Sequence, residues 1–229
     1  MRIIIFVLIF FTLNTSAQKS LEGGVAVGTF YYLGDINASQ QFSSYQLGGG
    51  IFLRENLNKR WSIRLSGFVG TLSSDDQLSS YVYQQKRNAS FQTSVLEVVP
   101  QFEFNFLPYK IGGDRESYPI SPYFAGGLGF LLATSSVTPY NFTIPMAVGV
   151  KFSLNDNAEI GIEWAFRKTF SDELDNLTAK EYDLKNMYPN KSRFKQNTFE
   201  NDDDWYSFAS IFIVYKIFQS GSVCNAYHF

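Results

Sequence analysis

Histidine and cysteine are almost absent from this chain of 229 residues, which holds one of each, His228 and Cys224. A single thiol excludes an intrachain disulfide and a multi-thiolate metal site. Zinc sites built on histidine and cysteine lack their ligands. A mechanism that rests on an imidazole base has only His228, beside the C-terminus, so no enzymatic activity and no cofactor are expected. Charge is scarce as well: charged residues make up 17% of the chain, against about 25% in a typical globular protein. The net charge of -2 comes with no basic patch, which speaks against nucleic acid as a partner. Long apolar runs are also missing. The run at 3–13 is too short for a spanning helix, which needs about 20 residues. With Arg2 before it and Thr15-Ser16-Ala17 after it, it reads as a signal peptide over 1–17, leaving 18–229 as one mature domain.

What is abundant is aromatic: 17% of the chain, with 23 Phe and 14 Tyr, at a mean hydropathy of only -0.10. That combination fits a barrel with apolar residues outside and polar residues inside. The hydrophobic period supports it, being two throughout and not 3.6. Leu21, Val25, Val27, Tyr31 and Leu33 alternate with Glu22, Gly24, Ala26 and Gly28. Tyr45, Leu47, Ile51 and Leu53 form a second strand, and Trp61, Ile63, Leu65 and Val69, against Ser62, Arg64 and Ser66, a third. A fourth, over 89–107, sets Leu96, Val98, Phe102, Phe104 and Phe106 against Glu97, Val99, Gln101, Glu103 and Asn105. Phe91 and Val95 are out of phase with its apolar set, which predicts a bulge near Ser94 or Val95, and Pro100 predicts a bulge or an unpaired position. A Gly-rich fifth strand carries Phe124, Leu128, Phe130 and Leu132. The sixth sets Phe142, Ile144, Met146, Val148, Val150, Phe152 and Leu154 against Thr143, Pro145, Ala147, Gly149, Lys151 and Ser153. After a tight turn at Asn155-Asp156-Asn157, a seventh carries Ile160, Ile162, Trp164 and Phe166, and an eighth runs over 205–218.

The connections alternate in length: 34–44, 72–88, 133–141 and 171–204 are mostly long, while 55–60 and 155–157 are short. Short periplasmic turns and long outer loops mark outer-membrane barrels. The expectation is therefore an all-β, eight-stranded antiparallel transmembrane barrel in the outer membrane of a Gram-negative bacterium, surrounded by lipid, with both termini periplasmic. The exception in length is 108–120, a longer periplasmic connection with Gly112-Gly113. A soluble sandwich or lipocalin-like barrel would also alternate, but with its bulky residues inward. Here the bulky face opposes one rich in Gly, Ala and Ser, which suits a narrow interior.

Six charges fall on predicted lumen faces: Arg64, Glu97, Glu103, Lys151, Glu163 and Arg167. Both signs are present in similar number, which reads as a salt-bridged polar core and not as acid–base machinery. Asn201-Asp202-Asp203-Asp204 offers oxygen ligands without EF-hand spacing and reads as a solvated charge run in place of a calcium site. Trp61, Trp164 and Trp205 suit interfacial girdles.

Several segments, in order, resemble the PorG-like family, the outer-membrane barrel component of the type IX secretion system. They are Tyr32-Leu33-Gly34-Asp35-Ile36, Arg87-Asn88-Ala89-Ser90-Phe91, Glu103-Phe104-Asn105-Phe106, Ser121-Pro122-Tyr123-Phe124-Ala125-Gly126, the stretch 144–151, Gly161-Ile162-Glu163-Trp164, the stretch 167–175 and Asp204-Trp205-Tyr206. The tail from Cys224 to Phe229 is similar to the family's cysteine-containing ending. Gly34, Asp35, Asn105, Phe106, Trp205 and Tyr206 stand at family-like motif positions. The resemblance implies a non-catalytic barrel that contacts periplasmic secretion-ring proteins, including a lipoprotein, and anchors or assembles that ring. The alternative is an OmpA/OmpX-like surface barrel whose outer loops bind ligands or surfaces. For a periplasmic partner the candidate segments are 108–120 and 221–229.

Overall fold

The computed structural model describes residues 20–33, 44–75, 90–134, 139–170 and 205–219. The segment 1–17 that reads as a signal peptide, Gly34, Asp35, the Asn201–Asp204 run and the tail with Cys224 and His228 lie outside the described residues. Nine strand segments follow one another: β1 (Ser20–Leu33), β2 (Gln46–Asn56), β3 (Trp61–Asp75), β4 (Ser90–Asn105), β5 (Ile120–Gly127), β6 (Gly129–Ala133), β7 (Tyr140–Ser153), β8 (Ala158–Thr169) and β9 (Trp205–Gln219). Every strand pairing is antiparallel: β4 and β7 each pair with both β5 and β6, the other pairs are neighbours in sequence, and β1 pairs with β9 to close the ring. Closure leaves no sheet edge, which is what lets a sheet satisfy its backbone without water.

Nine segments make eight staves, because β5 and β6 are one strand interrupted at Leu128. β5 meets β4 at Gln101↔Gly127, and β6 resumes at Val98↔Phe130 in unchanged register. Leu128 stands opposite Pro100 and donates its N–H to the Pro100 carbonyl at 3.3 Å. Proline has no N–H to return, so the ladder loses a bond there. The bulge predicted near Ser94 or Val95 does not form. β3 and β4 pair without a shift from Trp61↔Phe104 to Asp75↔Ser90, so the third connection begins after Asp75 and not at residue 72. Phe91 and Val95 are buried because they belong to the lumen face, in phase with Glu97 and Glu103. Pro100 keeps its place opposite Leu65. The one register shift in the pairing of β1 with β9 lies between Leu21 and Glu22.

The outer face carries the large apolar residues of every stave. Val25, Val27, Leu47, Ile51, Leu65, Val69, Phe102, Phe142, Val148, Ile162, Ile211 and Ile213 are each more than half exposed or close to it. Among the described residues thirty-two large apolar side chains are exposed. Soluble monomers rarely expose contiguous apolar patches larger than a few hundred Å², so this surface needs an apolar surrounding. Tyr31 departs from the expected exposure. It follows Val25 and Val27 in the outward alternation yet is fully buried, and its hydroxyl accepts the indole N–H of Trp164.

The turn at 154–157 forms as its sequence predicts. The Asn155 side-chain oxygen accepts N–H groups from Asn157 and Ala158, each at 2.9 Å. The β2–β3 turn uses the same device, with Asn58 accepting from Arg60 at 2.8 Å and from Trp61 at 2.9 Å. A short polar side chain thus replaces missing backbone partners at both turns.

Candidate functional site

Alternation sends the second residue of each pair inward, and the lumen fills in two zones. Near the ends of the strands that meet the short turns, Arg54 on β2 is the hub. Its Nε donates to Glu22 on β1 at 2.8 Å, its Nη2 to Glu159 on β8 at 2.6 Å, and its Nη1 to Glu103 on β4 at 3.4 Å. Glu103 also receives the Lys151 ammonium from β7, which donates to Asn105 at 3.0 Å as well. Arg64 on β3 reaches Glu163 on β8 at 2.6 Å and donates to Gln101 at 2.9 Å. The Tyr123 hydroxyl donates to the same Glu163 oxygen, Oε2. A separate pair lies further from the turns: Arg167 Nε donates to Glu97 at 2.6 Å, and Thr143 donates to the other Glu97 oxygen at 2.7 Å.

The six lumen charges read from the sequence are therefore all inside. They fall into two groups, with Arg64, Glu103, Lys151 and Glu163 in one network and Glu97 with Arg167 in the other. The sequence sets Glu22 on the inward face, and the six charges read from it do not include Glu22, Glu159 or Arg54. Arg54 follows the outward Leu53, so the period alone could have found it. Four buried cations face five buried carboxylates among the described residues, and all nine are ion-paired. Acid–base chemistry needs carboxylates that meet a substrate; these five are buried and each is paired with an interior arginine or lysine, as a buried charge requires.

The second zone corrects an expectation. The inward face is not mainly small: Phe30, Phe52, Phe68, Phe208, Phe212 and Tyr206 are buried there. Phe30 stacks on Phe208 at 4.3 Å, and Phe68 meets Phe208 edge-on at 5.3 Å. The glycines are what make room for the rings. A Cβ on Gly48 or Gly70 would sit 2.4 Å from the Phe30 ring, one on Gly50 2.4 Å from Phe68, and one on Gly161 2.2 Å from Phe212. Small and large residues thus interlock across neighbouring strands, a device that fixes register as well as filling space. Arg167 lies among these rings, its guanidinium carbon 5.1 Å from the Phe68 centroid and 5.6 Å from those of Tyr206 and Phe208. Tyr206, at a family-like motif position, is thereby a wall of the Arg167 site, while Trp205 beside it carries the Lys168 ammonium at 5.8 Å.

The long connection 106–119 closes the barrel at the end where β1 starts and β9 ends. Tyr109 and Ile111 are buried beneath the ionic network. Burial and the neighbouring Glu159 carboxylate raise the Tyr109 hydroxyl above its ordinary pKa. The connection is tied to both other turns and to β9. Tyr109 donates its N–H to the Lys59 carbonyl at 2.8 Å, Gly112 donates to the Ser153 hydroxyl at 3.0 Å, and the Lys216 ammonium donates to the carbonyls of Ile111 and Asp156 at 3.0 and 2.8 Å. Gly112, at φ 83°, is needed there, since a side chain would also meet the Asp156 backbone at 2.9 Å. Lys59 binds Asp114 at 3.1 Å and Glu116 at 2.9 Å across this surface. Slight burial works against the Asp114 carboxylate, but hydrogen bonds from Lys59, Glu116 and Ser117 hold its pKa below the ordinary value. The segment read as a loop for a partner is thus a floor with a fixed inner face.

A closed ring of eight antiparallel staves, charged within and apolar without, is the form of a transmembrane β-barrel. The chain belongs to the family described as a domain of unknown function, DUF6089, which matches residues 1–226. Curated proteins offer no match. Among solved structures it is similar in shape to Neisserial surface protein A, at 9% identity and a TM-score of 0.48, over 87% of this chain and 97% of that one. It is also similar to Ail, the attachment invasion locus protein of Yersinia pestis, at 12% identity and a TM-score of 0.43, over 89% and 100% of the two chains. OprG of Pseudomonas aeruginosa is similar at 10% identity and a TM-score of 0.42, over 88% and 96%.

Proposed function

We propose that the chain is a non-catalytic integral barrel of the outer membrane, with its termini and floor in the periplasm, serving as an anchor for a periplasmic assembly. The observation that carries this is the inversion of the barrel. Its apolar side chains face outward on all eight staves while nine charges are sealed inside. Only a bilayer makes that arrangement favourable. The lumen is filled by rings and ion pairs, so the working surfaces of such a protein are its two ends. The ordered motifs that resemble the PorG-like barrels favour the periplasmic end and a secretion ring that includes a lipoprotein. The floor 106–119 and the tail 221–229 are the segments that would meet it.

The first test is fractionation. The protein is expected in the outer-membrane fraction, resistant to alkaline extraction and migrating differently on gels before and after boiling; recovery in the soluble fraction would remove the membrane reading. Affinity purification from that fraction tests the partner. Ring proteins should accompany the full chain and be lost on deletion of 221–229 or on reversal of the charges at Arg115 and Glu116. The second reading, a surface barrel acting through its outer loops, would be favoured if only bulk outer-membrane proteins came along.

A further inference from the structure

Arg60 closes the β2–β3 turn at the foot of the apolar belt. It is exposed, and one of its N–H groups donates to the Phe106 carbonyl at 2.7 Å. That bond holds the guanidinium at the backbone of an aromatic cluster: Trp61 and Phe104 have ring centroids 4.8 Å apart, and Phe104 and Phe106 5.5 Å. Trp61 and Phe106 are about half exposed, at 47% and 55%. An arginine has five N–H donors in a planar fork, so most of the fork is open. Among the described residues Arg60 enters no ion pair. The carboxylates on the neighbouring floor are occupied, Asp114 and Glu116 by Lys59, and Glu55 on β2 also has a partner.

Exposed Trp and Phe at the edge of an apolar belt lie at the depth of lipid headgroups. A forked cation held there faces phosphate, the acceptor its geometry matches. We propose that Arg60, with Trp61 and Phe106 as its apolar walls, clasps the phosphate of an anionic phospholipid at the leaflet nearer the termini. The backbone bond to Phe106 sets the direction of the fork in advance, and the aromatic pair covers the top of the acyl chains. The clasp rests on the membrane reading above, so its test must separate the two.

The protein is refolded into nanodiscs of phosphatidylethanolamine with phosphatidylglycerol, and retained lipid is counted by native mass spectrometry after mild delipidation. The wild-type barrel should keep a phosphatidylglycerol that Arg60→Gln loses, with about fivefold weaker retention, as expected for one cation at a charged surface. Lys168→Gln, on Trp205 at the end of β8 remote from the β2–β3 turn, should retain lipid as the wild type does. Equal retention by Arg60→Gln and wild type, in barrels that insert equally, overturns the clasp and leaves the membrane reading standing. Failure of the wild type to insert overturns both. Displacement of the lipid by inorganic phosphate at constant ionic strength would overturn the lipid assignment in favour of a simple phosphate site.

Discussion

The two zones of the lumen solve the same packing problem with opposite chemistry. Near the short turns the interior is ionic. Arg54 alone joins three strands through Glu22, Glu103 and Glu159, and Lys151 and Arg64 extend the network to two more. Farther from the turns the interior is aromatic, with Phe30 and Phe68 seated over glycines beside Phe208 and Tyr206, and one isolated ion pair, Glu97–Arg167. The aromatic zone gains from burial and contact, whatever the partner's identity. In the ionic zone the charges are tolerated because each is matched, and matching is all-or-none for a buried group. The comparison teaches that loss of one side chain should hurt the two zones for different reasons: a cavity in one, an orphaned charge in the other.

The largest expected effect is Arg54→Ala. It leaves three buried carboxylates with reduced compensation and should cost about 4–5 kcal/mol, measured as a lowered urea midpoint for the barrel refolded in lipid. An unchanged midpoint would mean that water fills the ionic zone. Phe208→Ala comes next, at about 3–4 kcal/mol from lost transfer and a cavity; the same titration reads it, and little loss would show that the rings are loosely packed. Glu97→Leu should cost about 2–3 kcal/mol by orphaning Arg167, while the double substitution Glu97→Leu with Arg167→Met should recover most of it, because an apolar pair suits that zone. No recovery would erase the distinction between the zones at that site.

Pro100→Ala lies outside both zones. It restores an N–H opposite Leu128 and should join β5 to β6 with a gain below about 1 kcal/mol, visible as slowed amide exchange at Leu128. Lys59→Gln should be the smallest: its exposed pairs with Asp114 and Glu116 should leave the unfolding midpoint unchanged at neutral pH. Because the Asp114 pKa is held low in the folded protein, any contribution it makes is present above the ordinary aspartate range and is lost as the pH falls through its lowered value. A wild-type acid loss that persists in Lys59→Gln would point to other carboxylates.

Much of this was legible in the residues. Val25, Leu65 and Met146 point outward and Glu97, Glu103 and Lys151 inward because a strand's side chains alternate without exception unless a bulge intervenes, so a correct period places every residue between two turns. The same rule could have placed Arg54, and the error at Phe91 and Val95 came from assuming that aromatic and branched residues must belong to the outer set. Local chemistry was equally readable at Asn155 and Asn58, where a side chain two or three residues from its partners needs no distant help.

The sequence by itself therefore determined the staves, their two faces, the short turns and the poverty of catalytic groups, since these depend on neighbours a few residues apart. Only the tertiary structure decided which charges meet, that Arg54 serves three carboxylates, that glycines on one strand hold the rings of the next, and that 106–119 is a floor. Those outcomes depend on curvature and register around a closed ring, which bring residues such as Arg54 and Glu159 together across more than a hundred positions of chain.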